Sequence, residues 1–325
     1  MSTGVPAVGL DLGGTKTLAV VVTPEGKVLG QSLHPTPHGG RAQLTAGLEN
    51  AVREACHAAG IAVEDTAGVG IGVPGPTEPD AGVLLEAPNL GADKQNLDLR
   101  DLLEPVFRVP IAVENDANSA ALGEHRFGAG RGVRDMIYIT VSTGIGGGLI
   151  FDGKLLRGAG FTAGEIGHMV LAPEGRDVCG CGRTGCWEAI CSGTGIMRQA
   201  RAAIEAGRAP GLAELASRQP EGVTPALLVQ AARDGDPAAN AILQRAVQYN
   251  GVALMNLIHL FSPAMIVIGG GLTHAWDQVI APAADWALAH ALRRPASSCR
   301  IVPAELGPLC GGLGAAALVL PPAVN

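Results

Sequence analysis

Three cysteines and a histidine crowd into one short stretch, Glu165-Ile-Gly-His168 followed by Cys179-Gly-Cys181-Gly-Arg-Thr-Gly-Cys186-Trp-Glu188. Cysteine thiolate and histidine nitrogen are the ligands of tetrahedral zinc, and Cys3His is a closed, structural set. Glycines between the cysteines let the backbone bend tightly enough for three thiolates to reach one centre. His168, Cys179, Cys181 and Cys186 are therefore the expected zinc ligands, with Glu165 and Glu188 held beside them. One ring nitrogen of His168 would ligate and leave the other for a substrate hydroxyl. A redox pair or a disulfide loop would use the same cysteines. Seven cysteines is an odd number, and the start of the chain shows no charged and apolar leader pattern. A reducing compartment and a metal are the expectation. Cys56, Cys191, Cys299 and Cys310 are scattered and read as buried apolar side chains. Glu188 taken alone reads more simply as a solvated acid at a helix start.

Two glycine turns could hold phosphate. In Asp11-Leu-Gly-Gly-Thr-Lys16 the glycines would offer backbone N–H groups to an anion, with Thr15 and Lys16 as further donors. Asp11 would face a magnesium ion through water, since Mg²⁺ keeps several of its waters. A plain hairpin turn explains the same residues. Thr143-Gly-Ile-Gly-Gly147 repeats the pattern, as expected if two turns flank one nucleotide. No Walker-type lysine loop is found, and the Gly-x-Gly runs precede strands rather than helices, which removes the P-loop and Rossmann readings. Between the turns lies Glu114-Asn115-Asp116-Ala-Asn118. Asp116 is either a helix N-cap or a general base for an attacking hydroxyl. Phosphoryl transfer asks mainly for positioning and charge neutralisation, so an ordinary carboxylate suffices. Asn115 offers a polyol both a donor and an acceptor.

These residues need a scaffold. Ala7–Leu10, Leu18–Val22, Met136–Val141 and Leu149–Phe151 read as strands on either side of the two glycine turns, which suggests an internal duplication. Leu44–Ala59 has helical spacing, Gly68–Val73 reads as a buried strand, and Thr224-Pro225 and Asp236-Pro237 read as caps followed by first-turn prolines. Met265–Ile268 reads as a strand with a glycine exit, and Gly311–Leu318 as a closing helix that returns to the first lobe. An Ala/Arg-rich stretch, Arg198 to Arg218, reads as helical surface. Strands alternating with helices give an α/β architecture in two related lobes. The expected division is residues 1–115, joined by a C-terminal helix at about 311–325, and 116–310 with the zinc loop; the crossing is placed near residues 115–135. The 325-residue chain, with 47 glycines, 3% aromatics and 16% charged residues, is apolar enough to fold into such domains. A net charge of −7 argues against nucleic acid or an anionic membrane as partner. Without an apolar run long enough to span a bilayer, a cytoplasmic protein is expected.

Taken in order, Asp11–Lys16, Glu114–Asn118, Thr143–Gly148 and the Glu165–Glu188 segment resemble the ROK family of bacterial sugar kinases and sugar-responsive repressors. The resemblance covers essentially the whole chain and is most specific in the cysteine segment. It departs slightly at Ser142, where the family often has glycine. It implies the actin-like, hexokinase-type (duplicated ribonuclease H-like) fold, two lobes with an active-site cleft between them. It implies that Asp116 activates the sugar 6-hydroxyl, that Asn115, Glu165, His168 and Glu188 bind the sugar with Gly75 and Asn89, and that Gly13, Gly14, Thr15, Lys16, Thr143, Gly144, Gly269, Gly270 and Gly271 hold ATP. The implied ligands are a hexose, ATP, Mg²⁺ and a structural Zn²⁺, in a homodimer or homotetramer. The expected activity is an ATP-dependent hexokinase of the glucokinase type. N-acetylmannosamine, N-acetylglucosamine or fructose kinases are the near alternatives, and a non-catalytic sugar sensor is the distant one. The repressor branch carries an N-terminal helix-turn-helix; because the first phosphate strand begins within ten residues of Met1, none is expected here.

Overall fold

A computed structural model of the protein describes residues 4–86 and 95–322. Strand β1 (Ala7–Leu12) turns into β2 (Lys16–Val22), which turns into β3 (Val28–Pro35). β1 then pairs in parallel with β4 (Val69–Val73). After the short strands β5 (Thr77–Glu78), β6 (Val83–Leu84) and β7 (Leu97–Asp98), β8 (Ile111–Asn115) adds in parallel to β4. The resulting order is β3-β2-β1-β4-β8. A second sheet is built from β9 (Met136–Val141), β10 (Ile145–Phe151), β11 (Lys154–Leu155), β12 (Met265–Gly269) and β13 (Arg300–Pro303), in the order β11-β10-β9-β12-β13. The two orders are equivalent position by position. The duplication suspected from two glycine turns extends to whole sheets.

Contacts group the chain into two compact units, one of Met1–Tyr138, Gly148–Gly164 and Ala304–Asn325, the other of Ile139–Gly147 and Glu165–Pro303. In the first unit, helices α1 (Arg41–Ala59) and α2 (Leu99–Phe107) cover one face of the sheet, burying Leu44, Leu48, Leu103 and Phe107 against Leu10, Ile71 and Val113. Helix α3 (Asp116–Phe127) follows β8 directly. The grouping runs past the division drawn from sequence at residue 115, because α3 stays with the first sheet. Residues 304–322 return to this unit too. The last helix, named α11 below in chain order, packs on β1, β4 and α3. The approach is so close that a Cβ on Gly314 would run into the Ser119 carbonyl of α3.

The second unit is mostly helical: α4 (Trp187–Cys191), α5 (Gly193–Glu205), α6 (Pro210–Ser217), α7 (Pro225–Arg233), α8 (Pro237–Phe261), α9 (Ala281–His290) and α10 (Arg293–Ser298) precede α11 (Cys310–Ala317). Thr224 and Asp236 cap α7 and α8 through their side chains, each with proline in the first turn, as the sequence indicates. The Ala/Arg-rich stretch is helical but not purely surface, since Ala200, Ala203 and Leu212 are buried. Among the described residues, no helix is long and apolar enough to cross a membrane.

Candidate active site and metal centre

In the first unit, β1 ends at Leu12, and its penultimate residue Asp11 is followed by the Gly13–Thr15 turn. The Lys16 carbonyl takes the Gly13 N–H (3.0 Å), the Thr36 hydroxyl donates to the Gly13 carbonyl (2.7 Å), and Thr36 N–H donates to the Thr15 carbonyl (2.9 Å). The turn is thus held from behind, with Thr15 and Lys16 exposed. Burial, and after it the negative charge of Asp116, pushes the Asp11 carboxyl up to about 6. A buried carboxylate with a second carboxylate acting on it is a natural place for a cation. Gly311, in the first turn of α11, comes so close that any side chain there would strike the Asp11 carboxylate.

At the β8–α3 junction the structure removes the N-cap reading of Asp116. Asn115, not Asp116, caps the helix: its Oδ1 accepts the N–H groups of Ala117 (2.9 Å) and Asn118 (3.1 Å). Asp116 is the first helical residue, and its Oδ1 shares the Ala117 N–H at 2.8 Å. Asparagine and aspartate cap equally well, so sequence could not tell which would do so. The Asn115 side-chain amide donates to the Gly75 carbonyl (3.2 Å). Gly75 has φ of 110°, a conformation open to glycine, and this aims its carbonyl back at the junction. Behind the junction stands Glu114, 1% exposed and paired with Arg157. Sequence reading quoted Glu114 without a role and passed over Arg157.

The second unit gathers the other group. His168 ends a short 3₁₀ turn (Ile166–His168), Cys179 and Cys181 lie in a tight loop, and Cys186 immediately precedes α4. One ligand atom from each of His168, Cys179, Cys181 and Cys186 can be chosen so that all lie within 4.8 Å of one another. The sulfurs of Cys181 and Cys186 are 3.8 Å apart, and Cys179 Sγ is 3.6 Å from His168 Nδ1. Zinc–sulfur bonds of about 2.3 Å in a tetrahedron place two sulfurs about 3.8 Å apart, so the donor set fits zinc. Burial pushes the Cys179 thiol up to about 12 and also raises Cys186, while the Arg183 backbone N–H lowers the exposed Cys181. A cation would be needed to hold all three as thiolates. His168 Nε2 is turned toward Glu165, 3.7 Å from its Oε2.

Glu188, in the first turn of α4, reaches two places. Its Oε1 receives the Cys179 thiol at 3.5 Å, and its Oε2 accepts the Ile145 N–H at 2.9 Å. A Cβ on Gly144 would fall 2.5 Å from the same oxygen, so glycine there makes room for the carboxylate. This ties the cysteine loop to the turn of Thr143 and Gly144. The Gly269–Gly271 exit of β12 meets that turn from another side: Gly270, with φ of 89°, packs on the Val141 backbone, and Gly271 faces the Ser142 hydroxyl. The N-terminus of α5 does the same, since Gly193 N–H donates to the Ser142 carbonyl at 2.7 Å.

A clamp that sequence reading did not find supports the loop. Arg198 of α5 donates to the Val178 carbonyl (2.7 Å), the Ala189 carbonyl (2.7 Å) and Asp177 (3.2 Å), spanning both ends of the segment from Cys179 to Glu188. Arg245 of α8 donates to Asp177 at 2.5 Å. Burial works to raise the Asp177 carboxyl, but the two arginines hold it below its usual range. Of the residues expected at the site, Asn89 lies outside the described residues. The others fall into these two groups, one in each unit.

Known proteins resemble this chain in sequence and fold. The glucokinase of Halalkalibacterium halodurans is 37% identical over 96% of this chain and 94% of its own. Among solved structures, a ROK hexokinase from Thermus thermophilus superposes with a TM-score of 0.79 at 34% identity, over 96% of this chain and 97% of that one. A ROK family glucokinase from Streptomyces griseus, solved with glucose and AMPPNP, gives 0.79 at 36% identity, over 96% and 98%. The duplicated sheets are those of the actin-like, hexokinase-type fold. The ROK family profile matches residues 7–321, and the chain belongs to the ROK family.

Proposed function

We propose that this chain is an ATP-dependent glucokinase, transferring the terminal phosphoryl group of ATP to the 6-hydroxyl of glucose. The observation that carries the reading is at the β8–α3 junction: Asn115 takes over the cap, so Asp116 is not the capping residue. Asp116 accepts the proton of the sugar 6-hydroxyl as that oxygen attacks phosphorus. Little basicity is required when positioning and charge neutralisation do most of the work. Asn115, Glu165, His168 and Glu188 bind the sugar hydroxyls, with the Gly75 loop and Asn89 alongside. The glycine turns at Gly13–Lys16 and Thr143–Gly144 and the Gly269–Gly271 exit receive the nucleotide.

Asp11 would hold magnesium, which supplies positive charge for the phosphate oxygens. The raising of the Asp11 carboxyl by burial and by the charge of Asp116 supports a cation there. His168, Cys179, Cys181 and Cys186 would hold a structural zinc, which would fix the ring of His168 and the loop leading into α4, where the Ile145 N–H holds the carboxylate of Glu188. The 33–37% identity to glucokinases along nearly the whole chain favours glucose over other hexoses. We read the protein as a cytoplasmic homodimer or homotetramer, which light scattering would check.

The test is ADP release measured across glucose, mannose, fructose, N-acetylglucosamine and N-acetylmannosamine. Glucose should give the highest kcat/KM. A tenfold preference for another sugar would overturn the glucose assignment, and no turnover with any sugar would make the protein a sensor.

A further inference from the structure

We infer that Glu114, held by Arg157, is a positioning residue that sets the orientation of Asn115 and Asp116. The inference rests on the reading of Asp116 as the base. Glu114 is the last residue but one of β8 and is 1% exposed. Each of its oxygens is engaged. Oε2 accepts from Arg157 Nε at 2.7 Å. Oε1 accepts the Asn115 backbone N–H at 2.9 Å and the Asn118 side-chain amide at 3.0 Å.

Two of these donors bracket Asp116 in the chain, one residue before it and two after. The same residues are joined a second time, since Asn115 Oδ1 accepts the Asn118 N–H. Asp116 therefore sits inside a closed set of bonds that runs Glu114, Asn115, Asn118 and back to Glu114. The strand end is fixed as well, because Glu114 and Asn115 stand in register with Gly72 and Val73 of β4. Gly72 sits close against α3: a Cβ there would lie 3.1 Å from the Ser119 hydroxyl oxygen and 3.7 Å from Asp116 Cα.

Arg157 comes from outside this junction. It follows β11 in the stretch Gly148–Gly164, which groups with the first unit. Its own loop is closed by the Ala163 N–H donating to the Arg157 carbonyl at 3.0 Å. The arginine side chain is 38% exposed, and its partner carboxylate is nearly fully buried. Burying a carboxylate is costly, and a buried ion pair does little for net stability compared with apolar packing. A charged group in this place is better explained by geometry than by stability. Phosphoryl transfer depends on the base lying in reach of the attacking hydroxyl, and a displacement of about 1 Å can cost roughly a hundredfold in rate.

The experiment compares Asp116→Ala, Glu114→Gln, Arg157→Ala and Arg157→Lys by steady-state kinetics, with folded fraction and melting temperature measured on the same samples. Glu114→Gln keeps the shape of the side chain and removes its charge; Arg157→Ala leaves the buried residue untouched and removes its partner from the half-exposed side. Both should lower kcat per folded molecule by about ten- to a hundredfold while the KM for ATP stays within about threefold. Arg157→Lys should restore most of the kcat lost in Arg157→Ala. A merely structural pair would instead lower the folded fraction and leave kcat per folded molecule unchanged. If Asp116→Ala abolishes turnover while Glu114→Gln and Arg157→Ala both keep kcat within twofold, the inference is overturned and the base assignment stands. Turnover surviving in Asp116→Ala overturns the base assignment, and this inference with it.

Discussion

The β8–α3 junction and the cysteine loop each organise polar side chains, but by different means. At the junction, a parallel strand ladder brings Asn115 to a fixed end, and a helix begins at once, capped by that same residue. Regular hydrogen bonds set the backbone, and Glu114 completes it from within the chain. The cysteine loop has almost no ladder to lean on. Its described strand-like pairings are the isolated bridges Val170–Cys186 and Val178–Thr184. Gly182 and Gly185 adopt φ of 82° and 76°, and a Cβ on Gly185 would strike the Ala172 carbonyl. What regular structure does for the junction, the Asp177–Arg198–Arg245 clamp does for the loop. One region is preformed by secondary structure and the other by side-chain chemistry.

The comparison can be broken most directly at its catalytic end. Asp116→Ala should cut kcat by about 10²–10⁴-fold, the usual worth of a general base, with sugar affinity measured by calorimetry changing little. A kcat within tenfold of the parent would strip the junction of its chemical role. Next in size, Cys186→Ser or exhaustive chelation should abolish metal by elemental analysis and raise the sugar KM by about tenfold or more, since second-sphere order depends on the metal. Amide exchange in β8 and α3 should stay as in the parent. Exchange accelerating equally in both regions would show that they are not independently organised.

A smaller effect is expected from Arg198→Ala, which leaves every metal ligand in place. Zinc should transfer to a chelator several times faster, and the sugar KM should rise less than in Cys186→Ser. Unchanged extraction kinetics would mean that the metal alone orders the loop. The smallest effect concerns Asp11. Its folded carboxyl is raised to about 6 from 3.8, so the folded chain holds a proton there that the unfolded chain has given up, and stability falls as pH rises across that window. Removing the group with Asp11→Asn should therefore make the nucleotide-free protein gain on the parent by roughly 1–3 kcal/mol between pH 4 and 7. Urea melts at the two pH values would measure this, and a constant difference would contradict it.

What sequence could reveal follows the same contrast. That His168, Cys179, Cys181 and Cys186 come together was readable because cysteine, histidine and their spacing suggest one centre, whatever the fold. The strands beside the two glycine turns were readable from β-branched runs, and the capped prolines of α7 and α8 from local chemistry. Which residue caps α3 was not, since that depends on where β8 stops pairing with β4. Arg157, Arg198 and Arg245 gave no signal either. They find Glu114 and Asp177 across 43, 21 and 68 residues of chain, and an arginine on a helix or in a loop looks the same with or without a buried partner. The 115/116 division drawn from sequence differs from the contact grouping because nothing local reveals that glycines in α11 let it lie against α3.

That last helix also has a consequence for how the chain is made. A synthesising ribosome delivers β1 long before Cys310–Ala317, yet Leu313, Ala316 and Leu320 share one apolar cluster with Ala7, Val20 and Val22. Until Cys310–Ala317 has emerged, one side of that sheet stays bare, a natural hold for chaperones. A premature stop codon just before Cys310 would spare nearly every residue assigned to chemistry here and still leave that side uncovered.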